Sequence, residues 1–583
     1  MLARGQTLEA RAGLLPVMTV LAGATFGGAV GGMILERNAG FIRSYLLAQD
    51  TPVLLLFGLF FVALVARFKH DVPTFAPSAL RSRQSSALVW IALTVVCGLI
   101  WAGSHLVYRN FALSADEFMV DFDARIIATG RLLASVAPEW RAYVPALQPM
   151  FRLELPENAY WISSYLPMNA AIRALFVVLG EPVWHGVALA GVAIVAVFGV
   201  ARRLWPDRPD ASVVAVILLA CSSQFLITAM SPYAMTAHLA LNMVWLWFFL
   251  RDTRAGHLMA AGIAFVACGL HQVIFHPLFA APFLISLAMA RRWKTAGYYA
   301  LVYAVIGLFW ISYWTLLLRA ANAPLAQSAD VGILQLVHRL ADIIDPSPGN
   351  LALMGLNLLR FMAWQSPLAI PLVLIGLAAC RERKAPIIEL VAGIALTLAV
   401  VLLLMPFQGH GWGYRYLHGL LGSVSLIAAQ GWIYATDRGS QAARQATYAL
   451  VASVLVSLVV LLPWRAYQVR AFVDPYASAI EAIRHADADV VLVDPTDIWY
   501  GEDLARNDPF LAMRPKILSL PYLDEARLTQ LCRHYDVVIF DRTDAARFGI
   551  PSMTSTEVMT EQDRKLRTLA SSLRCGRPLP AGR

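Results

Sequence analysis

Long, almost unbroken apolar stretches alternate along the chain with short polar turns; Val89–Trp101 and Leu390–Met405 are extreme cases. Runs near the ~20 residues that a helix needs to cross a bilayer fall about thirteen times. They lie at 14–34, 52–66, 87–107, 183–201, 212–229, 236–250, 258–275, 277–290, 297–318, 366–380, 387–406, 417–435 and 446–463. Transmembrane β-barrels would instead alternate apolar and polar residues. The pattern predicts a polytopic α-helical membrane protein of about 13 transmembrane helices. The first run follows Arg4 and Arg11, exceeds the length of a signal-peptide core and lacks a clear small-residue cleavage site, so it reads as a signal anchor. Past residue 465 the pattern changes. Val490–Val493 and Val537–Phe540 are short β-rich runs, each followed by Asp (Asp494, Asp541), with helix-like stretches at Tyr476–His485 and Asp524–His534. The expected organisation is two anchor helices in 1–86, the main membrane core in 87–464 and a small α/β domain in 465–583, loose from about Gly576.

Composition sharpens this. Of 583 residues, 58% are hydrophobic and 15% charged, against roughly 45–50% and 25% in soluble domains. Soluble, collagen-like and disordered classes are excluded. The net charge of +9 matters less than its placement, because Lys and Arg at span ends set orientation. With the N-terminus in the cytoplasm, alternate turns hold Arg67, Lys69, Arg81 and Arg83; Arg202, Arg203 and Arg208; Arg251 and Arg254; Arg291, Arg292 and Lys294; Arg381, Arg383 and Lys384; Arg438 and Arg444. The opposite turns at 230–235 and 275–277 hold none, and 407–416 holds only Arg415. The segment 35–51, with Arg37 and Arg43, is the exception. This places 108–182, 319–365 and the tail outside the cytoplasm, the C-terminus included. Of six cysteines, only Cys532 and Cys575 lie in the polar tail, where a disulfide is open to them.

The most informative stretch opens the first outer loop: Ser114-Ala-Asp-Glu-Phe-Met-Val-Asp-Phe-Asp. Helical spacing puts Asp116, Val120 and Asp123 on one stripe, with Glu117 and Asp121 beside it. Ser114-x-x-Glu117 also reads as a capping box, a purely structural use of the acid. Tyr160-Trp161 and Tyr165-Leu-Pro167 follow, residues that also suit a membrane edge. Histidines 238, 271, 276, 410 and 418 gather near the same edge. Their spacing forms no tight ligand motif, which favours polar cavity lining over a metal site. Arg415, flanked by Trp412, Tyr414 and Tyr416, is either a phosphate ligand or an interface anchor.

This order of features resembles the GT-C class of membrane glycosyltransferases, which includes protein O-mannosyltransferases, the aminoarabinose transferase of lipid A and bacterial enzymes that add galacturonic acid to lipopolysaccharide. The resemblance covers roughly 87–435. It implies a GT-C-like catalytic core and transfer of a sugar from a polyprenyl-phosphate donor to an envelope glycan, lipid or protein in the bacterial inner membrane. It also implies Asp116 as catalytic base with Glu117 beside it, and Arg415-Tyr416 as donor-phosphate ligands. Asp123, Tyr165, His271, His276 and His410 are candidate cavity residues. No cofactor is required, and a divalent cation is a secondary expectation. Two departures bear on the substrate: Tyr165-Leu-Pro-Met168 stands where relatives have Pro-Pro-Gly after the tyrosine, and His276-Pro277 where many have Arg-Pro. The chemistry asks for the same residue types. A phosphate leaves as a stable anion, whereas an acceptor hydroxyl needs a base, and Arg suits bidentate phosphate contact. The competing readings are a lipid or glycan transporter and a polysaccharide polymerase or ligase. A transporter places ionisable residues mid-span and often repeats its halves; here the carboxylates are in a loop.

Overall fold

The computed structural model describes residues 13–34, 44–70, 82–321, 348–379, 386–552, 561–572 and 577–578. Most of the expected loop 319–365 lies outside them, as do Cys380 and Cys575. The helices begin with α1 (Leu14–Ile34), α2 (Leu46–Arg67) and α3 (Ser82–Leu106). A loop region follows, holding α4 (Ala115–Ala128), a two-residue antiparallel ladder of β1 (Ala134–Ser135) and β2 (Tyr160–Trp161), and α5 (Met168–Val178). The bundle resumes with α6 (Trp184–Leu204), α7 (Pro209–Ala220), α8 (Ser223–Ala229) and α9 (Ala234–Phe249). Next come α10 (Arg254–Cys268), α11 (Phe275–Met289) and α12 (Trp293–Ala320). It closes with α13 (Pro348–Ala363), α14 (Ala369–Ala379), α15 (Ile387–Leu404), α16 (Leu421–Thr436) and the rod α17 (Ser440–Arg484).

Seven of the described helices are long and apolar enough to cross a membrane, or eight if α7 and α8, bent by 59°, make one span. The sequence had suggested thirteen. The difference lies in the short runs. The segments expected at 236–250, 258–275, 277–290 and 417–435 are helices of 15 or 16 residues, about 24 Å or less against a ~30 Å hydrocarbon core, and the one expected at 366–380 is a helix of 11 described residues. Where helices approach most closely, glycine is the reason. On α14 and α16, a Cβ on Gly376 would lie 2.2 Å from the Ile427 carbonyl, and one on Gly431 would lie 1.9 Å from that of Leu372.

The rod α17 spans 45 residues, about 68 Å and more than twice a bilayer core. Its far end leads into a parallel sheet of β3 (Val490–Val493), β4 (Lys516–Ser519), β5 (Val537–Phe540) and β6 (Arg577–Pro578), in the order β4-β3-β5-β6. Two helices accompany it, α18 (Glu525–His534) and α19 (Glu561–Ser572). All four residues of β3 are buried, and the pleat divides them between two cores. Val491 and Val493 join the core of the bundle, whereas Val490 and Leu492 pack with Met119, Phe122, Trp140 and Trp161 of the loop region. The sheet is thereby wedged against the back of α4. Cys532 is disulfide-bonded.

A buried charged group ties the first two helices to the rest. Asp50 on α2 accepts from Arg360 Nε at 3.0 Å, Arg465 Nη2 at 3.1 Å and Trp364 Nε1 at 2.6 Å, and all three ionic side chains are fully buried. Arg360 Nη2 also donates to the Gly411 carbonyl at 2.9 Å. Breaking such a group by removing one member costs about 3–5 kcal/mol, because an unpaired charge stays buried.

Candidate functional site

The start of α4 follows from its sequence. Ser114 is the N-cap in extended conformation, its hydroxyl accepts from the Glu117 amide, and Glu117 accepts from the Ser114 amide at 2.7 Å. The capping box therefore uses Glu117 inwardly. Its neighbour Asp116 is turned about 100° round the helix and lines a cavity of about 370 Å³ together with Val120, one turn further on.

Asp116 is met from two sides. Tyr165 donates its hydroxyl to one carboxylate oxygen. Arg415, 299 residues away in sequence, donates Nη1 to the other at 2.7 Å. Burial pushes the Asp116 carboxyl up, but Arg415, His271 and the Tyr165 hydroxyl outweigh it and hold the group below the usual Asp range. Asp116 is thus ionised in the resting site. Tyr165 stacks beside His271, with ring centroids 4.2 Å apart. Burial pushes the His271 imidazole down to about 4, with Asp116 opposing and Arg415 assisting, so it is neutral near pH 7.

Arg415 follows a tight glycine loop, Gly409-His-Gly-Trp-Gly413, and opens the turn Arg415–Leu420. Gly413 has φ +66°, and a Cβ there would lie 2.9 Å from the Gln224 side chain. Only glycine fits that turn at that distance. The Arg415 amide donates to Gln408 Oε1 at 2.9 Å, and the guanidinium lies over Tyr416 (5.5 Å) and Tyr233 (5.9 Å). Its Nε is buried without a hydrogen bond among the described residues. The guanidinium therefore holds a donor in reserve while paired with Asp116.

The expected residues separate into two groups. Asp116, Tyr165, His271, Arg415 and Tyr416 line one cavity. Glu117, Asp123, His276 and His410 do not. Asp123 accepts from the Ser163 amide at 3.1 Å and from the Ser163 hydroxyl, which anchors the strand that delivers Tyr165. His276 is buried between Asn242 and Tyr303, 2.8 and 2.9 Å away. His410 bonds to Tyr45 at 2.8 Å and stacks on Phe472. Burial pushes both Glu117 and Asp123 up to about 7. The cavity also takes in Tyr233, His238, Asn242, Gln272, Phe275 and Thr397. Of these, sequence reasoning had singled out only His238; the others are isolated polar or aromatic residues, with Asn242 and Thr397 within helices and Tyr233, Gln272 and Phe275 at or between helix ends. Among the described residues, no group of three or more His, Cys, Asp or Glu is arranged to hold a metal ion.

The segment after β3 grips the site from behind. Arg506 donates to the carbonyls of Ala112, Leu113 and Asp503, and Asp503 accepts from the Ala115 amide, so the two fix the entry to α4. Trp161 Nε1 donates to the Pro509 carbonyl at 2.8 Å. Tyr500, with φ +52°, reaches Tyr45 at 3.0 Å, and Tyr45 holds His410 of the glycine loop. Both halves of the Asp116–Arg415 pair are thereby braced by residues 499–509.

No family model matches the chain, and no curated protein matches it. Among solved structures it is similar to two of ArnT from Cupriavidus metallidurans. One is bound to undecaprenyl phosphate (TM-score 0.44, 11% identity, covering 79% of this chain and 87% of that one). The other is in the apo state (TM-score 0.46, 12% identity, covering 80% and 88%).

Proposed function

We propose that the protein is an integral membrane glycosyltransferase that moves a sugar from a polyprenyl-phosphate donor to a hydroxyl of an envelope glycan, lipid or protein, outside the cytoplasm. The observation that carries this reading is the Asp116–Arg415 pair, two opposite charges from distant parts of the chain meeting at 2.7 Å on the wall of one cavity. A base and an anion ligand side by side are what this transfer requires. The acceptor oxygen attacks the anomeric carbon, its proton passes to Asp116, and the bond from that carbon to the phosphate oxygen breaks. The departing phosphate keeps its electron pair as an anion on Arg415, whose field stabilises the charge as it forms.

The pair also explains how a carboxylate held so acidic can act as a base. In the resting site Arg415 suppresses its basicity. A donor phosphate competes for the guanidinium, and Nε is free to begin that exchange. As the cation turns to the phosphate, Asp116 loses an opposite charge and becomes more basic. Base strength is thus coupled to donor occupancy, which limits proton abstraction while the site is empty. The Tyr165 hydroxyl keeps the carboxylate oriented.

The test is transfer measured with a polyprenyl-phosphate sugar and envelope acceptors, alongside mass analysis of envelope glycolipids and glycoproteins from cells with and without the gene. Asp116→Asn is expected to abolish transfer at normal protein level. Activity within a few-fold of wild type would reject the base role.

A further inference from the structure

On the face of α4 opposite Asp116 lies a second cavity, of about 150 Å³, between that helix, the end of α17 and the segment 506–517. Helical geometry places Phe118, Phe122 and Arg125 roughly 180–240° round from Asp116, so this pocket shares no wall with the first. Four arginines line it: Arg125, Arg484, Arg506 and Arg514.

The charges there are poorly matched. Asp508 is the one acid among the lining residues, and its carboxylate already accepts from the amides of Phe510, Ala512 and Met513. Arg514 pairs with Asp489 at 3.2 Å. Arg506 donates to three neutral carbonyls and has the Asp503 carboxyl as its neighbouring acid. Arg125 and Arg484 are exposed to solvent and make no hydrogen bond or close ion pair among the described residues, with Asp508 the acid that acts on Arg484, and both line the same small space. Each stands in the last turn of its helix, where a cation complements the dipole, and together they leave the pocket wall with an excess of positive charge.

We infer that this pocket binds a phosphomonoester group, held by Arg125 and Arg484. A tetrahedral dianion accepts several charge-assisted hydrogen bonds at once, and guanidinium forks suit that geometry. The cavity, about 150 Å³, is large enough to admit a phosphate group. The phosphate comes either free or on a soluble saccharide, or as the headgroup of a lipid. The site is separate from the transfer chemistry and stands whether or not the transferase reading does.

The experiment uses the full chain in nanodiscs of zwitterionic lipid. Inorganic phosphate is titrated at constant ionic strength against chloride, and binding is read by calorimetry and by the rise in Tm. Saturable binding is expected in wild type and in Arg415→Gln, and at least about 10-fold weaker binding in Arg125→Ala/Arg484→Ala. Because neither arginine makes an internal hydrogen bond, that double variant should keep its Tm in chloride; Arg125→Lys/Arg484→Lys, which keeps the charge, serves as the folded alternative and should bind at intermediate strength. A parallel series replaces part of the lipid with phosphatidic acid. An arginine-dependent Tm rise in that series alone assigns the group to a lipid headgroup. Phosphate binding that vanishes in Arg415→Gln but survives in Arg125→Ala/Arg484→Ala would overturn the inference, as would no arginine-dependent effect in either series.

Discussion

Removing one member of the Asp116–Arg415 pair should cost more than removing both. The two side chains are 14% and 15% exposed and 2.7 Å apart. With charge centres about 4 Å apart and an effective dielectric of about 20, their attraction is about 4 kcal/mol. The cavity admits water, so a coupling of about 2–3 kcal/mol is expected. Arg415→Ala strands a buried carboxylate and should destabilise the protein by about 3 kcal/mol. Asp116→Asn should cost less, because the guanidinium keeps its tyrosine rings. The double variant should recover most of the coupling. The assay is denaturant or thermal unfolding of all four proteins in one detergent, combined as a cycle. Kinetics supply an independent reading. Asp116→Asn should lower kcat about 100-fold or more with donor KM unchanged or reduced, since Arg415 is released to the phosphate. Arg415→Ala should raise donor KM and lower kcat together. Additivity within about 0.5 kcal/mol, or a wild-type donor KM in Arg415→Ala, would refute the idea that the two side chains share one charge balance.

Other expectations follow from the same contacts. Glu117→Gln should keep near-normal transfer, because Gln also serves in a capping box; a loss like that of Asp116→Asn would make Glu117 catalytic instead. Stability should fall as pH rises from about 4.5 to about 7, because burial keeps Glu117 protonated up to about 7 in the folded chain while the unfolded group ionises near 4.5. Glu117→Gln should reduce that slope in melting curves by an amount on the order of 3 kcal/mol across the window. Asp116, shifted the other way, affects stability only below its ordinary range. Arg506→Ala should lower kcat with little change in donor KM, since it holds the entry to α4 and touches no substrate; rescue by Arg506→Lys should be partial. Asp50→Asn should destabilise by about 3–5 kcal/mol, checked by unfolding, because it leaves Arg360 and Arg465 buried without a counter-charge. A reporter fused after Arg583 should be active outside the cytoplasm and one at Ser78 inside it.

What the sequence disclosed and what it withheld divide along physical lines. Helices announce themselves by apolar length, and the Ser114–Glu117 cap by spacing. Asp116 and Arg415 were legible as residue types at loop positions. Their meeting was not, because a contact across 299 residues leaves no local pattern. The short helices α9, α10 and α11 read as full-length spans because apolar composition marks a helix without fixing where it ends. Histidine clustering along the sequence suggested shared cavity lining, yet His276 and His410 point into separate hydrogen-bonded cores. The role of 499–509 was invisible: Arg506 in a polar tail looks like any surface cation until the carbonyls it caps are seen.

That brace sets the order in which the Asp116 site can be completed. Arg506 lies 394 residues after the Ala112 carbonyl it holds. At about 5–20 residues per second, the ribosome needs on the order of 20–80 s to supply it after Ala112 has been made. Throughout that interval Asp116 and its loop lack their backing. On the proposed reading, the nascent chain is inert until residues 499–509 have docked against the loop. Pulse-labelled chains should gain transfer activity only with the appearance of the full-length product, well after Arg415 has been made.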